Sequence, residues 1–177
     1  MASATLENAT APTPMLTMEM EYLAHEAGIK LEFVNGLSIW EASPVKSHQK
    51  KIDQIRASLK PLYQDGGSCS CISYNDLTIQ FPDGSITRPD ISIFTQEPEE
   101  EDAFSTRIPD IVIAVLNPGF EKKDTEITIP FYLRNGIPDI VHFDPATNKV
   151  LHYRTGVATE YDSPVELTFA CGCKATI

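Results

Sequence analysis

Arg88-Pro89-Asp90-Ile91-Ser92-Ile93-Phe94 and Pro109-Asp110-Ile111-Val112-Ile113-Ala114-Val115-Leu116 decide the fold. Each contains Pro-Asp running into β-branched residues, which reads as a strand entered through a turn. The second is apolar at successive positions, the pattern of a central strand covered on both faces. Asn117-Pro118-Gly119 ends it.

The flanking segments supply the partners for these strands. Residues 30–34 and 37–41 flank Asn35-Gly36, whose two positions tolerate the positive φ of a tight hairpin. After Ser43-Pro44, apolar or amphipathic residues recur at Val45, His48, Ile52, Ile55, Leu59 and Leu62. Spacings of three and four make that one face of a helix. Lys46, Lys50, Lys51, Arg56 and Lys60 fall mostly off the stripe and form the chain's only basic concentration. Asp65-Gly66-Gly67 breaks the chain. A second hairpin is expected around Pro82-Asp83-Gly84, leading through Arg88-Pro89-Asp90 into its strand. Beyond the central strand a helix is expected within 124–134, ended by Asn135-Gly136. Pro130 makes it start near Thr128 or kink there. Residues 140–143 form a strand closed by Asp144-Pro145, and 149–154 with 159 onward form a last hairpin. Thr17 is placed to cap a first helix that Gly28 stops. Residues 1–15, rich in Ala, Thr and Pro, read as a disordered tail before a single domain over 16–177.

Charge narrows the function. The net charge of -11 argues against broad, charge-driven binding of nucleic acid. Glu97, Glu99, Glu100, Glu101 and Asp102 read as a solvated acidic loop. No apolar run is long enough to cross a bilayer, and the N-terminus lacks a basic start followed by an apolar stretch. The expected location is therefore cytoplasmic, with no membrane partner. Cys69/Cys71 and Cys171/Cys173 each place two thiols on one face of a strand. Structural zinc favours wider spacing, so reduced strand cysteines are the expectation and a zinc-bound interaction module a weaker alternative.

The order of these features resembles the Uma-type family of restriction endonucleases, abundant in cyanobacteria and part of the PD-(D/E)XK nuclease superfamily. The resemblance runs from about Thr17 to Tyr153 and includes Glu32, Asn35-Gly36, Ser43-Pro44, His48-Gln49, both Pro-Asp segments, Asn117-Pro118, Asp124, Tyr132, Asn135-Gly136-Ile137-Pro138 and Asp144-Pro145. It implies an α/β fold with a restriction-endonuclease-like core: a central mixed β-sheet flanked by helices, with extra β-hairpins. It also implies a site where carboxylates hold Mg2+ for phosphodiester hydrolysis, since a hard cation lowers the pKa of a water and stabilises developing charge. DNA, met by the Lys46–Lys60 helix, and a homodimer are the implied partners.

Three positions match the family's site. Asp90 matches the first metal-binding acid, Glu32 the acid of the first hairpin, also a metal ligand, and His48 the histidine after the Ser-Pro turn. Blander readings stand beside each: a strand-initiating Asp90, an exposed strand acid at Glu32, a buried core histidine at His48. Two positions depart from the family. Its strand acid falls at Ala114 and its lysine at Thr128, while Leu116 excludes the older lysine position. Asp110 shares the face of Ala114 but lies about 13 Å away along the strand, too far to share a metal. The expectation is a catalytically degenerate nuclease fold, a pseudo-enzyme kept for binding or assembly. The alternative is an active Mg2+-dependent endonuclease whose missing groups come from Glu121, Lys122, Lys123, Asp124 or Glu126.

Overall fold

The computed structural model of the chain describes residues 18–42, 45–62, 70–99, 104–117, 119 and 121–177. The expected tail over 1–15, the Thr17 cap, Ser43-Pro44, Asp65 to Gly67, Cys69, Pro118 and the end of the acidic loop lie outside them.

In chain order the elements are α1 (Met18–Glu26), β1 (Ile29–Val34), β2 (Leu37–Ala42), α2 (Lys46–Ser58), β3 (Lys60–Pro61), β4 (Ile72–Asn75), β5 (Ile79–Gln80), β6 (Ile86–Thr87), β7 (Ile91–Phe94) and β8 (Ile111–Val115). Next, α3 (Glu121–Lys123), a π-helical turn over Asp124–Thr128 and α4 (Ile129–Arg134) run on as one helical segment. The chain closes with β9 (Asp139–Asp144), β10 (Lys149–Arg154), β11 (Val157–Asp162), β12 (Glu166–Thr168) and β13 (Cys173–Thr176). Among the described residues no helix is long and apolar enough to cross a membrane.

The main sheet has the order β11-β10-β9-β8-β7-β4. It is mixed: β8 and β9 are parallel, joined by the α3–α4 crossover, and the other pairs are antiparallel. With β9, β8 is one of its two central strands, as the unbroken apolar run predicts. Ile111, Ile113 and Val115 pack on one face with Ile52 and Ile55 of α2 and with Leu167 and Ala175. Val112 packs on the other face with Ile129 and Phe131 of α4 and with Val34 and Phe81. Fully burying an Ile or Val contributes about 1.5–3 kcal/mol, so β8 is the strand the fold can least lose. Strand alternation places Ala114 on the Val112 side, facing the crossover helix and the first hairpin.

That hairpin belongs to a second sheet of order β2-β1-β6-β5. Asn35 and Gly36 take φ of 51° and 82°, the turn their sequence predicts. The register opposes Glu32 to Ile39 and Lys30 to Glu41. The last hairpin turns at Thr155-Gly156, with φ of 48° and 82°, so its second strand starts at Val157 rather than at Thr159.

Pro130 has a visible effect. It lacks the N–H that an α-helical turn would donate, and the helix widens into the π-helical turn just ahead of it. Such turns cluster at functional sites, and this one carries Asp124 and Thr128.

Two features escape the sequence reading. A small sheet of order β12-β13-β3 covers the α2 face of the core. The cysteines are not all reduced either: Cys71 and Cys173 form a disulfide across 102 residues, with Cα atoms 6.0 Å apart. Spacing within each pair pointed to strand thiols, but the bond joins one cysteine from each pair. It can do so because β13 is laid against the chain leading into β4.

Candidate active site

Five elements bring charge to the Ala114 side of the sheet. In β1, Lys30 and Glu32 alternate onto one face, and the hairpin register puts Glu41 of β2 beside them. Asp90 stands at the entrance of β7, held by the Pro-Asp turn. Lys123 and Asp124 enter from the crossover helix, and His142 sits beside Ala114 as its partner in β9. All are largely buried: Glu32 is 2% exposed and His48 4%.

Asp90 is tied on every side. Oδ1 accepts from Lys30 Nζ at 3.2 Å. Oδ2 accepts from the Val115 backbone N–H at 2.7 Å and lies 3.5 Å from His48 Nε2. His48 Nε2 also donates to the Val115 carbonyl at 2.7 Å. Burial on its own favours the neutral acid, but Lys30, His48 and the Val115 amide outweigh it and hold the carboxyl well below the usual carboxylate range. The Lys30 ammonium, which burial would neutralise, is pushed up by Asp90 and then by Glu32.

The second cluster centres on Lys123, whose side chain is 11% exposed. Its Nζ donates to Glu32 Oε2 at 2.9 Å and to Glu41 Oε1, and stands 3.5 Å from Asp124 Oδ1. Burial opposes that ammonium, yet Glu32, Asp124 and Glu41 together raise its pKa. Asp124 is held low despite burial by His142, whose Nε2 lies 3.6 Å from Oδ2, and by Lys123. Thr128 Oγ1 donates to Asp124 Oδ1 at 3.1 Å. Glu32 Oε1 accepts from the Arg88 backbone N–H at 2.6 Å.

Lysine ammonium groups thus hold the ground between the acids. The Ala114 methyl forms part of the wall of a cavity of about 20 Å³ shared with Lys30, Glu32, Asp90, Lys123 and Asp124. That is room for about one water. Mg2+ needs six oxygens near 2.1 Å, several of them from water. Here both Asp90 oxygens and both Glu32 oxygens already accept from protein donors. Among the described residues no three His, Cys, Asp or Glu side chains come together as a metal-ligand set. As they stand, the residues do not fit Mg2+.

Asp90, Glu32 and His48, the three residues singled out from the sequence, all reach this site: His48 touches Asp90, and Glu32 is joined to the acids beyond it through Lys123. Asp110 does not reach it, because its Oδ2 accepts from the Thr95 N–H and hydroxyl at 2.7 and 2.9 Å. Of the segment after β8, Lys123 and Asp124 reach in. Lys30, Glu41 and His142 carry no motif and were not anticipated. The signal for the first two was present: Asn35-Gly36 fixes the hairpin register, which opposes Lys30 to Glu41 on the Glu32 face.

These pKa directions set a pH profile. Asp90 and Asp124 are depressed, so their contribution is present above the unfolded carboxyl pKa of about 3.9 and is lost as pH falls through the folded values. Lys30 and Lys123 are raised, so theirs is intact below about pH 10.4. His48 is raised, so its contribution is full below about pH 6.5 and fades as pH rises through its folded value. Unfolding in urea at a series of pH values should show a steep loss of stability below about pH 4, which Asp90→Asn should flatten.

A model of the Uma2 family, described as "putative restriction endonuclease", matches residues 18–170. No curated protein matches the chain. Among solved structures, a crystal structure from Anabaena variabilis, described as "a putative nuclease belonging to DUF820", superposes with a TM-score of 0.57 at 23% identity. The match covers 77% of this chain and 79% of that one. At that identity the likeness speaks to the fold, a mixed sheet with a nuclease-like core.

Proposed function

The chain belongs to the Uma2 family, described as "putative restriction endonuclease", and we propose that within it this protein is a catalytically degenerate nuclease fold, kept for binding rather than cleavage. One observation carries the reading. Lys123 sits among Glu32, Glu41 and Asp124, on the side of β8 where Ala114 offers a methyl group instead of a ligand. A buried ammonium here does the charge-neutralising work of a cation and needs no metal. It cannot polarise a water as a Lewis acid does. Thr128, in the family's lysine position, is bound to Asp124 and supplies no proton donor to a leaving group.

DNA remains the proposed partner, through the exposed Lys46 and Lys50 on α2. The rest of that basic face is partly engaged: Arg56 bonds Ser73 at 3.2 Å, and Lys60 lies 3.7 Å from Glu166. The rival reading is an active Mg2+-dependent endonuclease. One feature favours it: Asp124 and Glu41 bring two carboxylates to the wall that Ala114 leaves bare.

The double variant Ala114→Glu, Lys123→Met tests the reading, because it restores a strand acid and removes the internal cation together. Mn2+ at 100 times a micromolar Kd should stabilise it by about 2.7 kcal/mol in thermal melts, with no such shift for the parent. A folded double variant indifferent to Mn2+ would show that Lys123 does not occupy a metal position.

A further inference from the structure

Residues 163–177 lie as a strap over the core face of α2, where Leu167, Phe169, Ala175 and Ile177 share one cluster with Ile52 and Ile55. One end of the strap is anchored by charge. Asp139 Oδ2 accepts from the Ala170 N–H at 2.7 Å, and its Oδ1 accepts from His152 Nε2 at 2.7 Å and Arg154 Nε at 2.8 Å. Arg154 also donates to the Thr168 carbonyl.

The other end, β13, has fewer backbone ties to the body of the chain. Its ladder with β3 spans Cys173↔Pro61 and Lys174↔Lys60, and Pro61 has no N–H to give. Beside it the Leu62 N–H donates to the Gly172 carbonyl at 2.8 Å, and Ser58 Oγ accepts from the Thr176 N–H at 2.8 Å. The covalent tie at this end is Cys71–Cys173. A bond across 102 residues removes much of the freedom of the open chain, so its presence or absence weighs heavily on a segment held this way.

Two observations make that tie more than a staple. Cys71 holds a φ of 49°, in the left-handed region. The other non-glycine residues there are Asn35, Asp76 and Asn148, of types that tolerate it, and Thr155 in a hairpin turn. Cys71 has neither excuse, and residues held so against preference gather in switch regions. Opening the bond frees it to join the extended backbone of β4. The two sulfurs also differ in access: Cys173 is 0% exposed, whereas Cys71 is partly buried. A thiolate arriving from solvent therefore meets Cys71. The Cys173 thiol it releases stays in the core, where it packs as a small hydrophobe.

We propose that Cys71–Cys173 is a redox latch on α2. Closed, it clamps β13 over Ile52 and Ile55. That holds His48, one turn earlier on the same helix face, against Asp90 and the Val115 carbonyl. Opened by a dithiol reductant, it lets β13 and the core face of α2 loosen while the strap stays anchored at Asp139. In the opening step a thiolate of the dithiol attacks Cys71 Sγ, the Sγ–Sγ bond breaks, and Cys173 leaves as a thiolate that takes up a proton. The second sulfur of the dithiol then attacks the mixed disulfide, releasing the Cys71 thiol and closing the reagent's own disulfide. Two electrons pass from the reagent to the protein. The latch acts on the position of α2, so it holds whether or not the acidic cluster cleaves DNA.

The test is amide hydrogen exchange of the full chain as purified, after reduction with dithiothreitol, after reoxidation, and in the double variant Cys71→Ser, Cys173→Ala. Reduction should speed exchange about tenfold or more at Ile52, Ile55 and across Cys173–Thr176, with the amides of β8 and β9 unchanged. Reoxidation should restore the parent. The double variant should exchange like the reduced parent and should not respond to dithiothreitol. Peptide mapping of the unreduced protein that finds no Cys71–Cys173 bond would overturn the proposal, and so would exchange unchanged by reduction. Protection lost throughout β8 and β9 would make the bond a structural staple instead, and a double variant that still responds would assign the effect to another thiol; either result overturns the latch.

Discussion

Lys123→Met should destabilise the protein by about 3–5 kcal/mol at neutral pH, the usual cost of removing one partner from a buried ion pair. For a chain of this size that is a fall in Tm of about 6–20 °C. The cost arises because Glu32 and Glu41 are buried and share Lys123 as their ammonium partner. Glu32 retains the Arg88 amide, which is too little for an ionised carboxylate in that position. The pH response should also change: Lys123 helps to hold Asp124 low, so the acid-induced loss of stability should be shallower in the variant. Added Mn2+ should recover part of the loss as well. A variant as stable as the parent, with an unchanged profile, would mean that Lys123 is peripheral.

Asp90→Ala should cost a similar 3–5 kcal/mol. The change strips three groups at once: the buried Lys30 ammonium, the Val115 amide and His48. The expectation separates two roles for the same residue. In a site kept open for metal, acids crowd one another and removing one relieves repulsion, so activity is lost while stability holds or rises. In a site already neutralised from within, Asp90 is part of what holds β1, α2 and β8 together. Urea unfolding of the variant, with Asp90→Asn beside it, distinguishes the two. A neutral or stabilising result would place Asp90 in a metal site after all.

The fold was largely legible, because its decisive strands carry short-range signals. The β8 run is apolar on both faces, and Asn35-Gly36 and Pro82-Asp83-Gly84 announce their turns. The β12-β13-β3 sheet was not legible, since β3 is two residues long and pairs with the far end of the chain. The Cys71–Cys173 disulfide hides for the same reason: it joins positions 102 residues apart, and pairing cannot be read from spacing. At the site, Ala114 and Thr128 could be read as departures because they sit inside a motif. The charged groups that stand around them could not. Lys123 meets Glu32 and Glu41 from the crossover segment, a long-range approach that no local pattern announces. Lys30 and Glu41 were within reach of the hairpin register, but no motif drew attention to them.

The most direct measurement is calorimetry of the purified protein with Mg2+ and Mn2+, paired with a cleavage assay on supercoiled DNA in the same buffers. The expected result is no saturable binding of either ion and no cleavage above the metal-only control. Metal-dependent cleavage that disappears in Asp90→Ala would contradict the account and restore this chain to the active nucleases.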